Sequence, residues 1–416
     1  MVYVLNKDGK PLMPTERHGK VRHLLDRGKA KVVRRTPFTI QLTYDIPYEH
    51  TQPITLGVDA GSKTIGLSAS TETKELFAAE VKPRNDVAEN LSTRREFRRA
   101  RRNRKTRYRK PRFNNRTRSK HKGWLAPSVE VKIQEHITSI LRVAKILPIA
   151  KVVVETAEFD LQLIKAVQDG KPVPEGEDYQ KGEMLGHYNV RQYVFWRDGY
   201  TCQHCGAHGE GVKLEAHHLE SRKTGGNAPD VYRTLCVRCH ERVSKGTVVL
   251  KDAKRGRRST RDTAFMGIMR KTLIQRLRAA LGIPVVETRG YITKYVRDAH
   301  RLSKSHTTDA LCIAGNPKAK RCDRVYTIRP VRHHNRQLHK ATILKGGLRK
   351  PNQAPTYVKG YRLFDKVRYQ GQECFVWGRR TSGSFLLRTI SGKMTKDGVG
   401  YKRLTLLERS SNYLIA

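Results

Sequence analysis

The chain has 416 residues, 84 of them Lys or Arg against 38 Asp or Glu, for a net charge of +46. Such an excess goes beyond what solubility requires, and its clustering into particular segments argues for a polyanionic partner over a merely solvated basic surface. With 37% hydrophobic residues, seven cysteines and no apolar run of signal or membrane-spanning length, the composition excludes a membrane protein and a disulfide scaffold and requires no single large core, so three or four small modules in a reducing cytoplasm are expected.

Residues 1–52 read as a small α+β module: β-type runs at Tyr3-Val-Leu, Lys31-Val-Val-Arg and Phe38-Thr-Ile-Gln-Leu-Thr surround a helical stretch, Thr15 to Arg27, ended by Gly28. In residues 53–83, Ile54-Thr-Leu-Gly-Val-Asp59 is an apolar strand ending in an acid. Gly61-Ser-Lys then turns into a strand from Thr64 to Ser70, and a third runs from Glu75 to Lys82. Two tight antiparallel connections after an acidic strand begin an RNase H-like sheet.

Residues 84–125 hold an arginine-rich stretch: Arg94 to Lys122 carries 16 Lys or Arg in 29 residues, with Glu96 the only acid and Phe97, Tyr108 and Phe113 interleaved. Charge all round a helix favours a segment embedded in nucleic acid over a solvated face. The candidate contacts are Arg94, Arg95, Arg98, Arg99, Arg101, Arg102, Arg104, Arg107, Arg109 and Arg112.

In residues 126–167 a helix from Ser128 to Leu147 precedes Lys151-Val-Val-Val-Glu155, again an apolar strand ending in an acid. Linkers rich in Gly, Pro and charge are expected at 168–186 and 249–262, on either side of a module at 187–248. Residues 263–330 carry a helix near Ala264 to Leu281, a buried-type strand at Pro284-Val-Val-Glu-Thr and a helix opening at Ser305. From 331 to 416, alternating runs (Lys366-Val-Arg-Tyr, Cys374-Phe-Val-Trp, Ser384-Phe-Leu-Leu-Arg, Tyr401-Lys-Arg-Leu-Thr-Leu-Leu) with Gly-containing turns predict a small antiparallel sheet or barrel.

The 187–248 module contains Cys202-Gln-His-Cys205 and Cys236-Val-Arg-Cys239, two CxxC knuckles that can surround one Zn²⁺ with four thiolates. Four cysteines alone fit a structural ribbon with no chemistry. Between them, however, Leu214-Glu-Ala-His217-His218-Leu219 presents adjacent histidines, Gly225-Gly226 makes a turn, and His240 follows the last cysteine. Over about 45 residues this resembles the HNH, or ββα-metal, nuclease family. The resemblance implies that His218 is the general base, and that His217, in the slot usually held by Asp, and His240 ligate a catalytic Mg²⁺. Histidine is the softer donor and shifts preference toward Mn²⁺ or Zn²⁺. Val231 stands where the family usually has a bracing Asn, with Asn227 and Asp230 nearby.

Asp59 and Glu155 end apolar strands, Asp309 opens a helix, and His306 lies about one turn before it. Three acids meeting at one sheet edge can hold two divalent ions for phosphodiester hydrolysis, with His306 as base or ligand. Singly, Asp59-Ala-Gly-Ser-Lys fits an ATPase phosphate loop, Glu155 a strand-end ion pair and Asp309 a capping acid. In order, with a zinc module between the second and third, they resemble a RuvC-like domain interrupted by HNH.

The whole chain resembles the IscB family of transposon-encoded, RNA-guided nucleases. The resemblance rests on Pro11-Leu-Met-Pro14, Gly57-Val-Asp59-Ala-Gly-Ser, the Arg-rich stretch, Val154-Glu155, the HNH insert and Ser305-His306-Thr-Thr-Asp309-Ala. It implies a RuvC-like fold split over 53–83, 126–167 and 263–330, a bridge helix on guide RNA, and a C-terminal domain that binds guide RNA and reads a motif beside a double-stranded DNA target. It also implies Mg²⁺ at Asp59, Glu155 and Asp309 and at His217 and His240, Zn²⁺ on the four cysteines, and a monomer scaffolded by RNA. An unguided resolvase or homing nuclease and a nuclease-degenerate regulator remain the competing expectations.

Overall fold

In the computed structural model the apolar runs of the sequence are strands. The described residues are 1–102, 123–156, 172, 190–219, 231–250, 261–332 and 355–416, with backbone alone at 100–102 and 261–264. Arg104, Arg107, Arg109 and Arg112, the side chains of Arg101 and Arg102, Asn227, Asp230, and nearly all of both expected linkers lie outside them. The chain divides into two units, residues 1–158 with 269–416, and residues 159–268.

The first unit begins with β1 (Tyr3–Leu5), α1 (His18–Asp26), β2 (Ala30–Arg34) and β3 (Thr39–Leu42). Their sheet order is β1-β3-β2, over a core of Val2, Leu12, Val21, Ala30, Ile40 and Leu42. Helix α1 is shorter than the expected 15–27 and stops before Gly28, which takes φ +64°.

Next come β4 (Ile54–Ala60), β5 (Ile65–Ser70), β6 (Glu75–Val81), α2 (Val87–Arg102), α3 (Pro127–Ala144) and β7 (Ile149–Thr156). The second unit supplies α4 (Val190–Arg197), β8 (Leu214–His218), β9 (Tyr232–Cys236) and α5 (Val237–Ser244). After α6 (Arg261–Leu281), the first unit resumes with β10 (Val285–Arg289), α7 (Gly290–Ala299), α8 (His306–Ile313) and β11 (Val325–Pro330). It continues through β12 (Tyr357–Val358), β13 (Tyr361–Arg362), β14 (Lys366–Tyr369), β15 (Gln372–Arg379), β16 (Ser384–Arg388), β17 (Met394–Gly400), β18 (Thr405–Glu408) and β19 (Tyr413–Ile415).

The largest sheet has the order β10-β7-β4-β5-β6-β11-β19. Strands β4, β5 and β6 form an antiparallel meander, as Gly61-Ser-Lys and the second turn anticipate, while β7 runs parallel to β4 and β10 parallel to β7. The central strands read as continuous apolar runs because both faces are covered: Leu56, Val58, Ile65, Leu67, Val152 and Val154 are fully buried. Strand β10, expected to be buried, is an edge strand with Val286 and Glu287 exposed. Five strands in the order β17-β16-β15-β14-β18 make a separate antiparallel sheet around Val367, Cys374, Val376, Phe385 and Leu387. Here Tyr401–Arg403 is a single 3₁₀ turn and the strand starts at Thr405, so the run expected from Tyr401 is shorter.

Helix α8 lies hard against the meander because two glycines make room for it. A Cβ at Gly57 would stand 1.9 Å from the Ala310 carbonyl oxygen, and one at Gly66 would stand 2.0 Å from that of His306. Gly57→Ala is therefore expected to destabilise the first unit by about 3 kcal/mol, the upper end of core overpacking. An unchanged denaturation midpoint for Gly57→Ala would refute this packing.

Glu135 on α3 is buried, and its Oε2 accepts the Arg84 backbone N–H at 2.8 Å. Burial pushes its carboxyl from the usual 4.5 up to about 7, against the opposing effect of the Arg84 contact. A folded value above the unfolded one means full stability below 4.5, lost as pH rises through about 7. Glu135→Gln is expected to flatten that part of the melting-temperature profile; identical slopes in both proteins would count against it.

Candidate functional site

Strands β4 and β7 pair in parallel with Asp59 directly opposite Glu155, so both carboxylates rise from the same face. Gly66, the partner of Asp59 on β5, lies on that face too, as does Gly57 two residues before Asp59. These are the two places where α8 touches the sheet. Close approach of the helix is therefore what carries His306 and Asp309 to the acids.

The Ser305 hydroxyl caps α8 by accepting the Thr308 N–H at 3.0 Å. Arg321 fixes the same turn, donating to Thr307 and Thr308 and pairing with buried Glu75 at 2.7 Å. His306 Nδ1 sits 2.6 Å from Asp59 Oδ2, and this bond, reinforced by the Asp59 charge, raises the imidazole pKa. Asp309 is buried and accepts from Arg297 at 2.6 Å, while Glu155 Oε2 accepts the Thr293 hydroxyl at 2.5 Å. Burial raises the Glu155 pKa, and the negative charges of Asp59 and Asp309 raise it further. Three carboxylates that repel one another at one edge suit divalent cations.

The four expected residues thus come together, and α7 adds two that sequence reasoning missed. Thr293 and Arg297 are spaced i, i+4 on this helix and reach Glu155 and Asp309 from one side. Gly290, its first residue, leaves room for Glu155: a Cβ there would lie 3.1 Å from Oε1.

In the second unit, β8 and β9 form an antiparallel hairpin and α5 follows directly. The Sγ atoms of Cys202, Cys205, Cys236 and Cys239 lie within 4.8 Å of one another, with Cys205 and Cys236 3.8 Å apart. A tetrahedron with ~2.3 Å zinc–sulfur bonds has edges of about 3.8 Å, so the donors fit Zn²⁺. Burial, and then the other three sulfurs, push the Cys239 thiol well up, which a dication would reverse. Among the described residues no other set of three or more His, Cys, Asp or Glu donors converges so tightly.

His217 on β8 and His240 on α5 come together with ring centroids 5.0 Å apart. Burial, and then the neighbouring His240 and His218, lower the His217 pKa, keeping the ring neutral and able to donate its lone pair. Glu215, on the same face as His217, holds His240 Nδ1 at 2.7 Å. This carboxylate–histidine contact fixes how the ring is presented, and sequence reasoning missed it although the two-residue alternation from His217 reaches it.

His218 points to the opposite face, 4.1 Å from the Tyr232 ring between centroids, with a buried Nε2 that has no hydrogen-bond partner among the described residues. The structure does not bring it onto the face of His217 and His240. Val231 is fully buried, and its carbonyl accepts the Leu219 N–H at 2.8 Å, extending the hairpin by one pair. On α2, Arg94, Arg95 and Arg99 are exposed, and Arg98 is half-buried with Nε donating to the Arg94 carbonyl.

Residues 2–182 match the family of RRXRR proteins, and Arg98-Arg99-Ala100-Arg101-Arg102 spells that pattern. Residues 202–246 match HNH endonuclease. No curated protein matches the chain. Among solved structures it is similar to Streptococcus thermophilus Cas9 in complex with the AGGA PAM, at 12% identity and a TM-score of 0.30, over 46% of this chain and 26% of that one. The complex with the GGAA PAM gives 13%, 0.32, 51% and 29%, and that with the AGAA PAM gives 11%, 0.32, 63% and 32%. The chain spans less than a third of the length of those proteins. The chain therefore carries an RRXRR region followed by an HNH endonuclease domain, an order similar to that of the IscB-like nucleases.

Proposed function

We propose that the protein is a guide-RNA-directed DNA endonuclease, with the HNH site cutting the guide-paired strand and a RuvC-like site the displaced strand. The observation that carries the second centre is the register of Asp59 against Glu155, with His306 and Asp309 seated beside them through Gly57 and Gly66. The order β10-β7-β4-β5-β6, a meander flanked by two parallel strands, supports reading this sheet as RNase H-like. The exposed arginines of α2 and the charge of +46 support nucleic acid as the bulk partner, here an RNA scaffold on a monomer.

Asp59, Glu155 and Asp309 would hold Mg²⁺, which when bound activates water and stabilises charge on the phosphate. Arg297 and Thr293 hold Asp309 and Glu155 in place before the substrate arrives. His306, with one ring nitrogen on Asp59, has the other available to exchange a proton with the attacking or leaving oxygen. In the HNH unit His217 and His240 would ligate the catalytic ion and Glu215 orients His240, while His218, packed on the opposite face against Tyr232, would have to turn toward them to take the proton of the attacking water. The cysteines hold this scaffold through Zn²⁺ and take no part in the chemistry.

The protein purified from its own expression locus is expected to carry one discrete structured RNA, and to cut only DNA matching that RNA. Cleavage of duplex with all RNA removed would point instead to an unguided nuclease. Sequencing the copurified RNA, followed by a cleavage assay with matched and mismatched targets, decides between them.

A further inference from the structure

Away from both catalytic centres the first unit contains a cavity of about 510 Å³. Small-molecule sites span roughly 300–1,000 Å³. Its walls come from β2 and the turn after it, from α3, and from the strands between Phe364 and Ile415. Five cations line it, with Glu408 the one carboxylate among the described residues.

Two of those cations are already matched. Lys366 pairs with Glu373 at 2.8 Å, Arg409 pairs with Asp365 at 3.0 Å, and Glu408 accepts the Thr36 N–H at 2.7 Å. Arg34, Arg35 and Arg142 form no ion pair among the described residues. Arg34 and Arg142 are half-buried, and Arg142 stands with its guanidinium carbon 4.4 Å from the Tyr413 ring centroid while donating to Ser411 Oγ at 3.4 Å. Burial lowers the pKa of both, and the charge of Arg34 lowers that of Arg142 further. Arg142 is thus held partly out of water within reach of the charge of Arg34, and Glu408 is the one opposing charge that acts on Arg34. Phe364 and Phe375, 8% and 3% exposed, close the cavity wall without offering it a free ring face.

We propose that this cavity is a site for one nucleotide, its phosphate bridging Arg34 and Arg142 and its sugar and base lying along the cavity wall. Guanidinium forks match phosphate geometry. A nucleotide extruded from a bound strand and a free nucleoside monophosphate share this chemistry. The site is separate from both sets of catalytic residues and is read by binding alone, so failure of cleavage does not affect its test.

Full-length protein, stripped of nucleic acid at high salt, is dialysed to equilibrium against radiolabelled adenosine monophosphate or adenosine. The monophosphate is expected to bind at least about tenfold tighter than adenosine, and R34Q/R142Q to lose at least about tenfold of that binding. R17Q/R22Q, which removes the same charge from exposed positions, is expected to stay within about twofold, as a site-specific contact requires. R34K/R142K keeps both charges but loses the guanidinium forks, and is expected to bind between the parent and the glutamine pair, with a melting temperature matching the parent's as the guard against misfolding. Equal binding of the two ligands, an equal loss in R17Q/R22Q, or a loss in the lysine pair as deep as in the glutamine pair overturns the proposal. Crosslinks from an internal photoreactive nucleotide of a short RNA to residues 34–36 or 405–415, competed by the monophosphate, assign the cavity to a strand; crosslinks elsewhere only assign it to the free nucleotide.

Discussion

Asp59→Ala is expected to reduce cleavage of the displaced DNA strand by roughly 10³-fold, the scale on which losing one group that stabilises transition-state charge acts. Cleavage of the guide-paired strand should be retained, so the product is a nicked duplex. Asp59 is the only acid of its set that touches both neighbours: it pairs across the sheet with Glu155 and holds His306 Nδ1 at 2.6 Å. Removing it deletes one metal-binding oxygen and frees the imidazole at the same time. Because Gly57 and Gly66, not Asp59, set the seat of α8, the fold should survive. His218→Ala is the reciprocal case, leaving a nick in the opposite strand. Strand-specific end labels separate the products, and double-strand cleavage by either variant would falsify the strand assignment.

Zinc removal has the second large effect, and it is structural. Among the described residues the cluster around the cysteines buries Cys202, Leu235 and Cys239, and Tyr193, Val194, Phe195 and Val231 add the unit's other buried apolar side chains, a small core for a hairpin and a two-turn helix. Structural zinc contributes an apparent ~10–16 kcal/mol in zinc-finger peptides near neutral pH. Cys236→Ser, or prolonged chelation, is therefore expected to melt the β8–β9–α5 unit and abolish cutting of the guide-paired strand, while the Asp59 centre keeps its activity. Colorimetric metal release should give one zinc per chain. A chelated protein with unchanged guide-paired-strand cleavage and unchanged circular dichroism would sink this reading.

How far the site was legible depended on the range of the forces involved. Asp59, Glu155 and Asp309 could be found because each sits at the end of a locally recognisable element, and the cysteines because ligand spacing is itself the signal. Helix α7 could not: Gly290-Tyr-Ile-Thr-Lys-Tyr-Val carries β-type residues, and its formation rests on Thr293 and Arg297 reaching acids that come from other parts of the chain. Strand β17 was missed because Met394-Thr-Lys-Asp-Gly is an exposed, polar edge. Strand β19 was missed as a member of the large sheet because pairing with β11 across some 85 residues leaves no local pattern. The expected burial of β10 erred in the opposite sense, since an apolar run does not reveal whether a strand has one neighbour or two.

The insertion of the HNH unit between β7 and α8 also sets a clock. Glu155 leaves the ribosome about 150 residues ahead of Asp309, and Asp59 earlier still, a gap of at least ~8–30 s at ordinary rates of synthesis. During that interval the nascent chain has paired carboxylates but no His306 or Arg297 to neutralise them, and the whole zinc unit is made within it. The later-made half of this sheet edge can close only over a β4–β5 platform left open at Gly57 and Gly66, so its closure depends on two residues that have no side chains.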